Sequence, residues 1–517
     1  MADFEAVLGL LLVAVVLAAV ARRLGAPYPA FLALGGAVLA FVPGTPALSV
    51  PPDLALALFV APVLLDAAYD TSPRDLKDQW VPVASLVVVS VALTTVAVAA
   101  VARALVPAMP WAAAIALGAI VSPPDAAAAT AVLRQLRPPH RILTILEGES
   151  LLNDASALLI YRLAVGAAAA NAFSLRAVAP TFLLAVVGSV VAAPALAWLV
   201  LRVLRKVQDV PTAIILQFIT TFTVWILADR LGLSAVLTTV CFAVATARRA
   251  PEWTPARIRV PSYAVWDTAV FVLNVLAFVF IGLQVRPILS GLEPATRALY
   301  LQVAGAVVLT VIVVRIAWVM THNALARWRI HRVGFHPPRP TQRPTVRGGL
   351  VISWAGMRGI VTLAAALALP TYTTGGPFPF RDLIVLTAFS VVLGTLVIQG
   401  LTLRPLLLAL DLHDDDPVGQ EVEAARERAL SAALAILDGD TSPHAETVRQ
   451  EFAAHLRRAT VDPRQREGGD AGHEETHRRV IAAARQVILA LRASDEIGDA
   501  AFHQLEEEFD RIEMANV

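Results

Sequence analysis

Thirteen apolar segments, most of them about twenty residues long, follow one another through residues 1–410 of this chain. About 20 apolar residues are enough to cross the hydrocarbon core of a bilayer as a helix, which satisfies its own backbone polar groups there. We therefore predict thirteen membrane-spanning helices. Their approximate bounds are 4–21, 28–43, 52–69, 80–103, 111–134, 141–170, 177–203, 211–230, 233–250, 264–285, 298–327, 346–370 and 381–410.

The overall composition supports a polytopic membrane protein. Hydrophobic residues make up 57% of the 517 positions and charged residues only 16%. A soluble domain contains about 45–50% apolar and about 25% charged residues. The sequence therefore excludes an ordinary soluble protein.

Basic residues predict the orientation in the membrane. With the amino terminus outside, the inner loops hold clusters such as 22–23, 202–206 and 248–249, whereas the outer loops hold isolated arginines. Because Lys and Arg are enriched in cytoplasmic loops, we expect an outer amino terminus and a cytoplasmic carboxyl terminus.

The end of the chain has a different charge balance. Residues 411–517 hold 24 of the 41 Asp and Glu residues but only 12 of the 42 Lys and Arg residues. Apolar residues recur there at helical spacing, near 419–437, 444–458, 471–493 and 495–514, with a loop at 466–470. We predict a membrane domain over 1–410 and a small cytosolic helical domain over 411–517.

Two predicted spans are interrupted at their centres. The fifth contains Ser122-Pro123-Pro124-Asp125, and the twelfth contains residues 354–359, Trp-Ala-Gly-Met-Arg-Gly. An odd number of spans suits two inverted six-helix repeats joined by one linker helix. In that arrangement the fifth and twelfth spans occupy equivalent positions in the two repeats. Broken helices in corresponding halves indicate a transporter's midplane site. Proline kinks that serve packing alone are the alternative.

The sixth predicted span carries the densest group of polar residues. Ser150 and Asp154 share one face of this helix, and Glu149 and Asn153 share the adjacent face. If spans five and six pack together, Asp125 faces Ser150 and Asp154. Carboxylates within a span are costly and mark functional sites. Oxygen ligands without a His or Cys cluster favour an alkali cation or a proton over a transition metal.

Three further charged residues have predicted roles. Arg315, alone in the middle of the eleventh span, has Glu149 as its natural counter-ion, in a pair that we expect to be structural. Arg358 lies in the break of the twelfth span, where it can bind free carbonyls or offset dipole ends. Asp66 in the third span is a candidate ligand, or a residue near the inner end that faces the cytosol.

Four stretches of residues 1–410 together resemble the NhaP-type bacterial sodium/proton antiporters of the monovalent cation:proton antiporter family, in the Asn-Asp subtype. They are the SPPD break and the segments LEGESLLND (146–154), FVLNVLAFVFIGLQV (271–285) and WAGMRGIVTLAAAL (354–367). The resemblance implies a homodimer, in which each protomer has thirteen spans, a dimerisation unit and a mobile six-helix core. It further implies electroneutral one-for-one exchange of sodium for protons by an elevator-like movement.

The resemblance also implies roles for individual residues. Asp154 would be the principal carboxylate that binds the ion and carries the proton. Asp125, Ser150 and the backbone oxygen of Pro124 would complete the site, which Asn153 would position. Asp66 stands where relatives often have Glu. The sequence Pro124-Asp125-Ala126 replaces the Thr-Asp-Pro of many relatives, so a threonine hydroxyl is missing and the ion selectivity stays open.

Potassium/proton exchange is the nearest alternative, because oxygen ligands alone do not select an ion by size. Lithium is a further candidate ion. A cation channel would need a continuous polar stripe or filter loops, and a membrane enzyme would need a nucleophile–base pair or a metal-binding His motif. We find neither pattern, nor a nucleotide-binding Gly-Lys-Ser/Thr loop. We expect a secondary transporter, not an enzyme, with no cofactor and no nucleic-acid partner, and with a regulator acting on its tail.

Overall fold

The protein is built from α-helices in the computed structural model. The described residues are 2–24, 27–42, 51–136, 138–170, 175–290, 294–333, 343–373, 376–412, 417–437, 445–450 and 471–514. Strands β1 (Tyr372–Thr373) and β2 (Gly376–Pro377) pair antiparallel in a two-residue ladder.

The described residues before 411 contain twenty α-helices. The first eleven are α1 (Ala2–Leu24), α2 (Tyr28–Leu39), α3 (Pro52–Ala55), α4 (Ala61–Tyr69), α5 (Pro73–Asp78), α6 (Trp80–Ala84), α7 (Val91–Leu105), α8 (Trp111–Val121), α9 (Ala126–Leu136), α10 (His140–Ala170) and α11 (Leu175–Leu204). The next nine are α12 (Val210–Arg230), α13 (Ala235–Trp253), α14 (Ala256–Leu283), α15 (Val285–Ser290), α16 (Pro294–Val333), α17 (Val346–Trp354), α18 (Ile360–Leu367), α19 (Arg381–Thr395) and α20 (Leu401–Leu410). Short π-helical turns join α3 to α4, α6 to α7 and α19 to α20.

Helices occupy the positions of all the predicted spans. Seven of the helical segments in the described residues are long and apolar enough to cross a membrane. The fifth and twelfth predicted spans are each two helices, because residues 122–125 and 355–359 are not helical. The total of thirteen spans stays a prediction.

Helix α14 begins at Ala256, earlier than the predicted start near 264. Its first turns include Arg257 and Arg259, which lower the hydropathy there and hid the helix from a search for apolar runs. Arg259 is nevertheless buried, because carboxylates of the carboxyl-terminal tail surround its guanidinium group.

Close packing of α2 on α14 depends on glycine. A Cβ atom on Gly36 would overlap the carbonyl oxygen of Val279, and one on Gly282 would overlap that of Ala33. Small residues let two membrane helices approach until their backbones touch, which increases their van der Waals contact. This contact fixes the helix that carries one wall of the cavity described below.

The tail contains α21 (Pro417–Ala435), α22 (Ala471–Ala493) and α23 (Asp499–Met514). These helices share a hydrophobic cluster that includes Leu430, Ile488 and Phe502. Helix α23 starts later than the predicted 495, because Asp495 adopts a positive φ of 58° and the chain turns before Asp499. Residues 445–450 are helical within the predicted stretch 444–458; the rest of that stretch and the predicted loop at 466–470 lie outside the described residues.

Candidate functional site

The two helix breaks lie against each other. The backbone N–H of Asp125 donates a 2.7 Å hydrogen bond to the carbonyl oxygen of Met357. Pro123 and Pro124 supply no N–H groups, so the turn after α8 cannot continue the helical hydrogen-bond ladder. A Cβ atom on Gly359 would overlap the carboxylate of Asp125, so only glycine allows this approach.

Arg358 binds the backbone of both breaks. Its side chain is buried, and it donates to the carbonyl oxygens of Val121 (3.0 Å) and Ser122 (3.2 Å) and to that of Gly356. Its own N–H donates to the hydroxyl of Thr395 at 3.0 Å. Helices leave carbonyl groups unpaired at their carboxyl ends, where a cation is favourable. Arg358 therefore offsets the carbonyl groups left at the carboxyl ends of α8 and α17, where the two breaks meet.

Helix α10 brings the polar residues of the sixth predicted span to the place where the two breaks meet. The amide nitrogen of Asn153 donates a 2.8 Å hydrogen bond to the carbonyl oxygen of Pro124. Asn153 is fully buried and Asp154 is 7% exposed. A carbonyl oxygen has two lone pairs, so that of Pro124 can accept a second partner besides Asn153.

A single cavity of about 280 Å³ joins these groups, and we call it the carboxylate cavity. The predicted site residues that line it are Asp66, Pro124, Asp125, Ser150 and Asp154. Carboxylate, hydroxyl and backbone carbonyl oxygens are the ligands that hard cations prefer. The cavity can thus hold either a small cation or a proton on its carboxylates.

Glu149 and Arg315 lie outside that cavity and contact each other directly. The two Nη atoms of Arg315 lie 2.5 and 2.8 Å from the two carboxylate oxygens of Glu149, and both residues are 1% exposed. Arg315 also donates to the carbonyl oxygen of Ile352 at 3.0 Å. The pair therefore joins α10, α16 and α17 beside the broken helix.

The sequence provided no role for several residues that line the carboxylate cavity. Thr130, Asn274 and Thr362 are among them. Asn274 is the lone polar residue of the apolar stretch 271–282, and that isolation was the available signal. Thr130 places a hydroxyl at the cavity, although the position before Asp125 has none.

A second cavity, of about 340 Å³, adjoins the first, and we call it the tail cavity. Asp66 and Asp70 line both cavities. His503, Gln504 and Glu507 of α23 line the tail cavity, so the tail covers the side opposite the carboxylates. This arrangement was not predicted from the sequence.

Buried ion pairs hold α23 in place. Arg259 donates its Nε to Asp510 at 2.9 Å and lies 3.2 Å from Glu506. Arg485 contacts the same carboxylate of Asp510 from α22. Burial raises the pKa of Glu506, but the hydrogen bond with His503 and the charge of Arg259 outweigh it and hold that pKa below the usual 4.5.

A second group of charges connects the tail to helix α5. Arg74 donates to both carboxylate oxygens of Glu421, at 2.9 and 3.0 Å, and to Asp75 at 3.1 Å. Asp75 in turn lies 3.0 Å from Nε2 of His140, at the start of α10. Burial raises the pKa of Asp75, but the His140 hydrogen bond and the Arg74 charge hold it below the usual 3.8.

Comparisons with known proteins agree with this architecture. An uncharacterised Na⁺/H⁺ exchanger of Mycobacterium tuberculosis is 30% identical over 94% of this chain and 91% of its own length. A sodium, potassium, lithium and rubidium/H⁺ antiporter of Bacillus subtilis is 28% identical over 89% of this chain and 70% of its own. The solved sodium proton antiporter MjNhaP1 of Methanocaldococcus jannaschii shares the fold, with a TM-score of 0.60 at 17% identity over 79% of this chain and 99% of that one.

The family profile described as "Sodium/hydrogen exchanger, transmembrane" matches residues 10–409. That match covers both helix breaks and every residue of the carboxylate cavity. The chain belongs to the sodium/hydrogen exchanger family of membrane cation/proton antiporters.

Proposed function

We propose that this protein exchanges Na⁺, or Li⁺, for H⁺ across the bacterial plasma membrane, one ion for one proton and without net charge transfer. The observation that carries the proposal is the carboxylate cavity, where Asp125, Ser150 and Asp154 meet the Pro124 carbonyl at a helix break. The buried Oδ1 atom of Asn153 has no hydrogen-bond partner among the described residues, so one more oxygen lies unused beside Asp154.

Competition for the same oxygens couples the two ions. Burial disfavours an ionised carboxylate, whereas a bound cation favours it. When Na⁺ binds, Asp154 gives up its proton to the open side of the membrane. When a proton returns to Asp154, the cation leaves. Each change between the outward-open and inward-open states then carries one positive charge, either Na⁺ or H⁺. A full cycle therefore moves no net charge.

The proposed architecture is thirteen spans in two inverted repeats, with the amino terminus outside. Residues 1–410 form the membrane domain, with a dimerisation unit and a core that moves as an elevator, and residues 411–517 form the cytosolic tail. The direct contact between the two helix breaks supports the pairing of the fifth and twelfth spans. Because the protein functions as a homodimer, crosslinking in native membranes should yield a dimer.

Everted membrane vesicles with a pH-sensitive dye test the exchange. Sodium added to the outside of vesicles acidified by respiration should release protons and restore fluorescence. Asp154→Asn and Asp125→Asn should abolish that response at equal protein levels. Asp229→Asn changes an exposed carboxylate paired with Arg162 and is the matched control, which should behave as wild type. Sodium-dependent recovery with Asp154→Asn would refute the site.

The same vesicles test the proposed stoichiometry. Potassium with valinomycin sets the membrane potential without changing the sodium or proton gradients. An electroneutral exchange should proceed at the same initial rate with and without an imposed potential. A rate that changes with the sign of the potential would exclude one-for-one exchange.

Potassium/proton exchange is the second candidate function. The Bacillus subtilis relative is described as transporting sodium, potassium, lithium and rubidium. This chain also lacks a hydroxyl immediately before Asp125, while Thr130 provides one elsewhere in the cavity. Adding NaCl, LiCl or KCl to the same vesicles distinguishes sodium/proton from potassium/proton exchange. A response to KCl equal to that for NaCl would favour potassium/proton exchange.

We further propose that the tail regulates exchange from the cytosolic side. The supporting observation is that α23 lines the tail cavity, which meets the carboxylate cavity at Asp66 and Asp70. A helix in that position narrows the route between the carboxylates and the cytosol. A cytosolic regulator that displaces α23 would widen it.

A further inference from the structure

A third cavity lies away from the carboxylates, and we call it the basic cavity. Its volume is about 1120 Å³, and it is bounded by the α6–α7 segment, the start of α10, the second half of α16 and the start of α17. Neither the proposed exchange nor the tail uses it. It opens at the end of the bundle that the loop charges place on the cytoplasmic side.

Cationic side chains dominate this cavity. Lys77, Arg141 and Arg329 line it, together with the imidazole of His322 and the single carboxylate of Asp78. The buried Nε atom of Arg141 has no hydrogen-bond partner in the part of the chain that the structure describes. A guanidinium whose Nε donor is buried without an acceptor is costly unless an anion completes it.

The rim of the cavity is apolar and aromatic. Trp80 is 64% exposed and Trp328 is 56% exposed, and Val81 and Leu325 beside them are also exposed. Tryptophan is enriched where the hydrocarbon core meets the headgroups. Basic pockets between membrane helices on the cytoplasmic side bind anionic lipid headgroups. The phosphate of such a lipid would bind the arginines of the basic cavity. Its acyl chains would lie along the exposed apolar side chains of the rim.

The polar floor of the cavity is already ordered. Ser85 accepts a 3.1 Å hydrogen bond from the indole N–H of Trp318, and its hydroxyl lies 3.1 Å from Nδ1 of His322. These groups fix α16 against the α6–α7 segment below the headgroup level. Arg315 lies two turns before His322 on α16 and forms the buried ion pair with Glu149 of α10. A lipid in the cavity would therefore contact two helices that carry the buried ion pair.

We propose that the basic cavity binds the headgroup of an anionic phospholipid from the inner leaflet, with Arg141 and Arg329 as the main phosphate ligands. Phosphatidylglycerol is the probe. Binding does not require that the exchange proposed above be correct, so the two proposals fail independently.

Native mass spectrometry of the delipidated full chain measures the affinity. The protein should retain dioleoylphosphatidylglycerol in preference to dioleoylphosphatidylcholine. The double variant Arg141→Gln/Arg329→Gln should bind phosphatidylglycerol roughly 30-fold more weakly, which corresponds to about 2 kcal/mol for two basic contacts. Arg248→Gln/Arg249→Gln removes the same charge from two exposed positions on α13 and is the matched control, with unchanged affinity expected.

Further variants and ligands make the test decisive. Arg329 is exposed, so Arg329→Gln alone should fold normally and weaken binding roughly fivefold. Phosphatidylglycerol should raise the Tm of the wild type, and inorganic phosphate at millimolar concentration should not. Equal retention of the two lipids, wild-type affinity in the double variant, or the same Tm increase with inorganic phosphate would each overturn the proposal.

Discussion

Asn153 and Pro124 are 29 positions apart in the chain, yet the side-chain nitrogen of Asn153 lies 2.8 Å from the Pro124 carbonyl oxygen. This hydrogen bond attaches the break between α8 and α9 to the helix that carries Asp154. It orients the Pro124 carbonyl group beside the carboxylate cavity. The positions of Asp125 and Asp154 relative to each other thus depend partly on this buried amide.

Replacing Asn153 should weaken cation binding. Asn153→Ala removes the hydrogen bond and leaves the buried carbonyl group less well oriented, which costs about 1–3 kcal/mol. We expect the KM for sodium in reconstituted proteoliposomes to rise roughly 5- to 150-fold. Asn323→Ala is the control, since Asn323 makes a similar 2.7 Å bond to the Thr345 carbonyl and does not line the carboxylate cavity. An unchanged KM for Asn153→Ala would contradict the positioning role.

The Glu149–Arg315 pair should matter for stability more than for ion binding. Removing one partner leaves an uncompensated buried charge, which costs about 3–5 kcal/mol. Arg315→Met and Glu149→Leu should each lower the Tm and the yield of detergent-solubilised protein. The double variant should be more stable than either single variant, because both charges are then gone. A double variant less stable than both single variants would show that the pair stabilises the fold in another way.

Gly359 tests the contact between the two breaks. In Gly359→Ala, the new methyl group would overlap the Asp125 carboxylate, and such overpacking costs about 1–3 kcal/mol. We expect sodium/proton exchange in vesicles to fall sharply while the folded yield stays close to wild type. Gly305→Ala is the control, because a Cβ atom there meets nothing within 4 Å. Normal transport by Gly359→Ala would place the ion site elsewhere.

Arg259 tests the docking of the tail. Arg259→Gln loses the charge that Asp510 and Glu506 neutralise, so α23 should detach more often. We expect faster proteolytic cleavage of the tail and a higher exchange rate at cytosolic pH 7, because the tail cavity opens. Arg426→Gln breaks the Arg426–Glu508 pair within the tail and is the control. Detachment of the tail without any change in exchange rate would refute its regulatory role.

The docking should also weaken in acid. The pKa of Glu506 is lower in the folded protein than its usual 4.5, so its ionisation stabilises the docked state above that value. This contribution declines as the pH falls through the lower, folded pKa. The Tm difference between wild type and Glu506→Gln should therefore be largest near pH 7 and shrink below about pH 4.5. A difference that is constant down to pH 3.5 would contradict the linkage.

The sequence by itself determined the membrane character, the approximate positions of the helices and the two interruptions. These features are local: a run of apolar residues must be helical in lipid, and Pro123-Pro124 ends a helix wherever it packs. Mid-span charges are similarly visible, so Asp125, Glu149, Asp154 and Arg315 could be selected as candidates. Their rarity in an apolar environment is the physical signal.

Only the tertiary structure decided how these residues meet. Three sets of hydrogen bonds join segments that are far apart in the chain. They are the bond from Asn153 to Pro124, those from Arg358 to backbone carbonyls, and that from Arg259 to Asp510 of α23. Such contacts depend on the angle and depth at which helices pack, and hydropathy carries no information about either. The tail shows this most clearly, since Asp510 and Glu506 look like ordinary solvated charges until the fold buries them against an arginine at the start of a membrane helix.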